Sequence, residues 1–240
     1  MPVDGGNGLK TVNDLKKYFS PNIGIIGKGV DMKIDPEGMA RQDFYHMLLA
    51  ALNPRPIAWV STVGEDGVYN LAPFSFFSAV SAKPAVICLS VASKRDGQKK
   101  DTLRNIESGM DFVLNTVNGD LAEAMNQTSA EYPPEVDEFQ EVGLTPLESD
   151  MVKSPRVAES PLNIECQVNK ILQFGQTPEF SHLIIGDVRR VHVKDEFFID
   201  GKIDGSKLNN VGRLWGKYYC RLTDLFEMTM PGPYRPDHKK

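Results

Sequence analysis

The stretch from Asn53 to Ser78, NPRPIAWVSTVGEDGVYNLAPFSFFS, constrains the fold more than any other part of the chain. Two extended runs, Ile57–Thr62 and Val68–Ala72, flank Gly64-Glu65-Asp66-Gly67. Asp-Gly takes positive φ without strain, so the runs should turn back on each other as an antiparallel hairpin. Pro73 has no amide hydrogen to give to a ladder, so it should end regular pairing or mark a bulge. Phe74–Val80 continues extended, and Ala85–Val91 is a short continuous apolar run suited to a buried strand.

Phe44, Met47, Leu48 and Ala51 recur at helical spacing and predict a helix over Met39–Leu52. A basic loop, Ser93–Thr102, leads into a short helix over Leu103–Ser108, with Asp101 or Thr102 as N-cap and Gly109 as its stop. Asp111–Val117 reads as a strand, and Gly119-Asp120 opens a helix with Leu121, Ala124, Met125 and Thr128 along one side. Glu131–Glu141 is acidic, carries Pro133-Pro134 and reads as a surface loop with a short helix. Leu162–Phe174 and His182–Val193 read as long, adjacent antiparallel strands, and Tyr218–Leu222 as a last strand. Strands outnumber helices, and the regular crossover helices of a parallel sheet are missing. The expectation is a closed or partly closed antiparallel barrel. Residues 1–38 read as an N-terminal arm with an amphipathic piece at Val12–Phe19, residues 39–230 as one domain, and 231–240 as a Pro-rich tail.

Composition excludes several function classes. The net charge of −5 argues against general nucleic-acid binding, which needs a basic face. Cys88, Cys166 and Cys220 lie far apart without a CxxC pair, which excludes a zinc knuckle or dithiol motif and suggests a reducing, cytoplasmic setting. No apolar run approaches the ~20 residues of a membrane-spanning helix. Gly24-Ile25-Ile26-Gly27-Lys28-Gly29 lacks the Ser or Thr that a phosphate-binding P-loop places after its lysine, and reads as a glycine-rich arm.

Two regions carry polar chemistry. Arg95, Lys99 and Lys100 precede the helix start at Asp101-Thr102, where free backbone amides and a partial positive charge favour an anion. Such a loop binds a phosphate group or stands as a solvated charged loop, and the residues alone weigh these evenly. Ser61, Thr62, Asn70 and Ser75 sit on otherwise apolar strands and need partners, either within the protein or on the heteroatom edge of a flat ring. Trp59, Phe74, Phe76 and Phe77 would pack against that ring or simply fill the core.

In combination these segments resemble the flavin reductase-like family with the FMN-binding split β-barrel. The matching residues are Pro54–Thr62, Asn70–Phe77, Lys100–Ile106, Pro161–Cys166 and Gly186-Asp187-Val188, and the likeness spans about Phe44 to Tyr219. The resemblance implies a mainly β fold, a split (Greek-key) antiparallel β-barrel with short peripheral helices. It implies a homodimer with one FMN per subunit near the interface. Ser61, Thr62 and the segment Asn70, Leu71, Ala72, Pro73, Ser75 would lie along the ring and ribityl chain, with Phe76 against the ring. Arg95, Lys100, Asp101 and Thr102 would hold the phosphate, with Lys94 and Lys99 as rivals to Arg95. Arg55 would either order the entrance to the first strand or approach the flavin. His182, at the start of a strand near that pocket, is the candidate catalytic histidine, contacting nicotinamide or flavin, unless it is a satisfied strand-end residue.

No GxGxxG fingerprint occurs, so NAD(P)H would enter transiently beside the flavin rather than sit on a Rossmann domain. His46, His192 and His238 are scattered and support no metal site, and Glu65-Asp66 and Glu148–Asp150 read as solvated. The implied activity is hydride transfer from NAD(P)H to flavin, which then supplies a monooxygenase or another electron acceptor. The alternative is an FMN-holding electron carrier or flavin store without NAD(P)H activity. A split-barrel oxidase of a phosphorylated pyridoxal-like substrate is disfavoured by the Asn70–Phe77 match.

Overall fold

A computed structural model describes residues 25–26 and 33–232. The expected helical piece at Val12–Phe19, the side chains of the glycine-rich segment Gly24–Gly29 and the tail beyond residue 232 lie outside the described residues.

Seven strands form one antiparallel sheet: β1 (Ala58–Val63), β2 (Tyr69–Phe74), β3 (Phe77–Ala82), β4 (Ala85–Ala92), β5 (Asp111–Asn115), β6 (Leu162–Gln176) and β7 (Glu179–Val193). Their order across the sheet is β2-β1-β5-β6-β7-β4-β3. The hairpin read between Asn53 and Ser78 is β1–β2, with Ser61 opposite Leu71 and Thr62 opposite Asn70. Pro73 neither ends the pairing nor marks a bulge: it stands opposite Trp59 and the ladder runs on to Phe74, which the edge position of β2 allows. The two long strands pair from Leu162↔Val193 to Gln176↔Glu179, longer at the turn end than the periodicity predicted.

The edge strands β2 and β3 are separated in sequence by Ser75 and Phe76 alone. A flat sheet cannot join its opposite edges through two residues, so the sheet curls until they approach. Ser90 N–H donates to Phe76 C=O at 2.8 Å and holds the link against β4.

Among the described residues four α-helices accompany the sheet: α1 (Arg41–Ala51), α2 (Asp101–Gly109), α3 (Ala122–Gln127) and α4 (Glu138–Glu141). Among the described residues none is long and apolar enough to cross a membrane. In α1 the buried residue is Leu49, while the expected Ala51 is exposed. Lys100, not Asp101 or Thr102, occupies the N-cap position of α2, and Met110 ends it in the left-handed conformation at φ 57°.

Side chains alternate across a strand, and β1 uses both faces. Ala58 and Val60 join Leu89, Phe112, Ile184 and the α2 residues Leu103 and Ile106 in one core. Ile57 and Trp59 face the other way, into a second core with Leu71, Met125, Phe139 and Val157. Every residue from Ala58 to Thr62 is therefore fully buried, including Ser61 and Thr62. Between β5 and β7 the packing is so close that a Cβ at Gly186 would meet the Phe112 ring at 2.8 Å.

Candidate functional site

The polar residues of the β1–β2 hairpin find partners inside the protein. Ser61 Oγ donates to Pro155 C=O at 2.5 Å and accepts from Asn115 Nδ2 at 3.0 Å. Thr62 Oγ1 accepts from Asn105 Nδ2 on α2 at 3.1 Å. Asn70 Nδ2 donates to Glu138 Oε1 at 2.8 Å, and its Oδ1 accepts from Thr102 Oγ1 at 2.6 Å. These bonds tie the hairpin to the first turn of α2. They also show that Ser61, Thr62, Asn70 and Thr102 are buried and committed, whereas Ala72, Pro73, Ser75 and Phe76 are partly exposed on the same strand and its link.

Glu138 corrects the reading of Glu131–Glu141 as a purely surface segment. It is buried, and its second oxygen accepts the Leu71 amide at 3.1 Å. Burial pushes its pKa up, against the pull of the Leu71 and Asn70 hydrogen bonds. Sequence reasoning missed it because one acid in an acidic run looks like the others. The one available signal was its neighbour Phe139, an apolar residue that had to be buried.

Arg55 is a buried hub. Its guanidinium donates to Leu49 C=O at 2.9 Å, to Leu52 C=O at 2.6 Å, to Leu214 C=O at 2.6 Å and to Ser75 Oγ at 3.2 Å. Its Cζ also stands 5.9 Å from the centre of the Phe76 ring. These contacts fit the reading in which Arg55 orders the entrance to β1, and they extend it to the Ser75–Phe76 link.

The basic loop is anchored on the β6–β7 turn. Ser93 N–H donates to Phe180 C=O at 2.9 Å and Ser93 Oγ to Pro178 C=O at 3.1 Å. Gly97 turns the loop at φ +81°, and a Cβ there would meet Pro178 at 2.7 Å. Within the loop the cations divide into two sets. Lys94 pairs with Asp101 at 3.0 Å, Arg104 also pairs with Asp101, and Lys99 pairs with Glu107 at 2.7 Å. Arg95 and Lys100 have no carboxylate partner among the described residues. Burial lowers the pKa of Lys100, with Glu131 raising it and Lys94 lowering it further. The amides of Asp101 and Thr102, at the first turn of α2, donate to nothing among the described residues. Two open amides and the unpaired Lys100 at the helix start, with Arg95 free in the loop before them, form a donor set that fits a phosphate dianion.

His182 is 4% exposed, on the same face of β7 as the core residues Phe180 and Ile184. Its ring meets Phe180 edge-on at 5.3 Å, and its Nδ1 has no partner. Burial lowers its pKa, with Glu107 raising it and Lys99 lowering it. Its partner across the sheet is Val91, near the end of β4 that leads into the basic loop.

A second polar group lies elsewhere, at Asp150, Glu165 and His192. Glu165, fully buried, accepts the amides of Asp150 at 2.9 Å and Met151 at 2.6 Å and contacts His192 Nε2 at 2.5 Å. Arg190 holds Asp150 at 2.5 Å. These contacts pin residues 150–151 to β6 and β7.

Comparison with known proteins places the chain. The flavin reductase like domain family matches residues 50–204. A relative of unassigned role from Halalkalibacterium halodurans is 38% identical over 202 residues, which cover 83% of this chain and 97% of that relative. Nitrilotriacetate monooxygenase component B from Bacillus cereus superposes with a TM-score of 0.79 at 34% identity, over 84% of this chain and all of that one. The 2-nitrobenzoate 2-nitroreductase of Pseudomonas fluorescens superposes with a TM-score of 0.76 at 27% identity, over 85% and 99%. The chain belongs to the flavin reductase-like family.

Proposed function

We propose that the protein binds FMN and transfers hydride to it from NAD(P)H. The observation that carries the reading is the donor set at the start of α2: the N-cap Lys100, without a carboxylate, and the open amides of Asp101 and Thr102, with Arg95 unpaired in the loop that leads to them. Bound there, the flavin supplies the redox chemistry. The chain's own residues bind and orient it. The phosphate is held at α2, and the partly exposed backbone of Ala72–Phe76 lies along the ribityl chain and ring. Asn70 and Thr102 join these two halves through one hydrogen bond, so they fix the distance between ring and phosphate. His182, buried opposite Val91 near the root of the loop, shapes the site rather than exchanging a proton with solvent.

The curled sheet closes as a split barrel in this reading, and a second copy covers the open side of the flavin. Val80, on the edge strand β3, is 58% exposed, which supports contact with a second copy along that edge. The likeness to a monooxygenase component B supports a monooxygenase as the acceptor of reduced flavin.

Two measurements test this. Arg95→Ala with Lys100→Ala should weaken FMN binding at least ~10-fold, since each removes a charge-assisted contact; unchanged affinity overturns the phosphate assignment. Stopped-flow mixing of the FMN-loaded protein with NADH and with NADPH should bleach the flavin. Failure of both leaves an electron carrier or flavin store.

A further inference from the structure

Glu165 on β6 is a carboxylate with no exposure to solvent. A charge taken out of water needs a cation beside it or a metal ion on it. Among the described residues its one side-chain contact is His192 Nε2 on β7, at 2.5 Å, and an imidazole carries charge only when protonated. The nearby arginine is spent elsewhere, since Arg190 Nη1 donates to Asp150 Oδ2 at 2.5 Å. Glu165 is therefore buried without a permanent cation of its own.

The fold gathers further ligands around it. Glu165 stands opposite Arg190, and the next pair is Cys166 with Val188, so the β6–β7 ladder carries a bulge at this point. Bulges re-aim side chains beside functional sites. Asp150 comes from the loop before β6, which is tied down at both ends. The Asp150 and Met151 amides donate to Glu165, and those of Lys153 and Ser154 to Asp111 on β5. One ligand atom each from Asp150, Glu165 and His192 lie within 4.8 Å of one another. Two ligands of one zinc ion stand roughly 3–3.5 Å apart at bonds of about 2.0–2.2 Å, so side-chain movement alone closes the set. The two amides hold the Glu165 carboxylate in place, as outer hydrogen bonds do at metal sites, and leave it a lone pair for an ion. Asp150 keeps Oδ1 without a partner among the described residues. Two carboxylates and an imidazole suit a divalent transition ion better than Mg²⁺ or Ca²⁺, which favour oxygen ligands alone.

We infer that Asp150, Glu165 and His192 bind a divalent transition-metal ion of the zinc class, with water completing its coordination beside the exposed Asp150. The ion takes the place of the hydrogen bond between Glu165 and His192 and fastens residues 150–151 to β6 and β7. The site lies toward the strand ends away from the β6–β7 turn, which anchors the basic loop, so it is independent of the flavin reading.

Calorimetry with Zn²⁺ on protein freed of metal by EDTA should show one ion per chain. Cobalt(II) absorption should show oxygen and nitrogen ligands without a thiolate band, which separates this site from the half-buried Cys88 and Cys220. Asp150→Ala alters an exposed side chain and keeps the backbone amide on Glu165. It and His192→Gln should each weaken Zn²⁺ at least ~10-fold, as loss of one of three protein ligands requires, while His46→Ala leaves the affinity unchanged. Zn²⁺ should also raise the melting temperature of wild type and not that of Asp150→Ala, whose cooperative melt in EDTA shows that it folds. No Zn²⁺ or Co²⁺ binding to wild type, a thiolate band with cobalt, or an affinity that neither Asp150→Ala nor His192→Gln moves overturns the inference and leaves a network of ion pairs.

Discussion

Arg55 shows how much one side chain organises. Its planar fork reaches three carbonyls from two separate segments and one hydroxyl, a geometry that the single ammonium of lysine cannot reproduce. Arg55→Lys should lower stability by about 2–3 kcal/mol, because carbonyls at Leu49 and Leu214 lose a charged donor; urea unfolding measures it. Glu165 makes a second residue-scale prediction. Burial raises its pKa most strongly, but the two amides and His192 together bring it below the ordinary value of 4.5. A carboxylate depressed in the folded state stabilises above its unfolded pKa, and that contribution is lost as pH falls through the folded value. Glu165→Gln should therefore be less stable than wild type at pH 7 and should flatten the acid limb of a melting-temperature profile below about pH 4.5. Residue types announced that Ser61, Thr62 and Asn70 needed partners. They did not announce which, because Pro155, Asn105 and Glu138 come from distant segments.

At the scale of elements, local chemistry was legible where it acts through neighbours. The Asp-Gly turn and the long hairpin β6–β7 follow from pattern alone, whereas Pro73 stays inside the β1–β2 ladder instead of ending it. The start of α2 does not. Cap preference points to Asp101, yet Asp101 sits in the first turn and spends its carboxylate on Lys94 and Arg104. That shift leaves the Asp101 and Thr102 amides open and commits Lys94, which singles out Arg95 and Lys100 among the loop cations. The loop's shape depends on Gly97. Alanine there meets both a positive φ and Pro178, so Gly97→Ala should cost about 1–3 kcal/mol of local strain. It should also weaken FMN binding, by calorimetry, without touching a phosphate contact directly. Wild-type affinity in that variant would show that the loop's conformation does not matter to the ligand.

For the whole molecule, sequence pattern pointed to an antiparallel sheet without crossover helices, and the structure has one. The strand order was not legible, because it depends on pairings such as Trp59 with Asn115 and Leu89 with Ile184 that no local signal encodes. Nor was the burial of β1 on both faces, which comes from the covering layer of α3, α4 and Val157. Glu138 belongs to this scale as well: by taking the Leu71 amide it occupies part of the free edge of β2, where another chain would otherwise add a strand.

The link at Ser75 and Phe76 has a consequence for synthesis on the ribosome. The hairpins β1–β2 and β3–β4 emerge early, tethered by two residues, yet they belong on opposite flanks of β6–β7, which emerges late. β4 has no partner on its inner side until β7 arrives. Stalled nascent chains that end before Glu179 should therefore remain open to protease across β3 and β4. Protection of that region should appear only when β7 has cleared the exit tunnel, so the N-terminal half of this domain waits on its C-terminal half to fold.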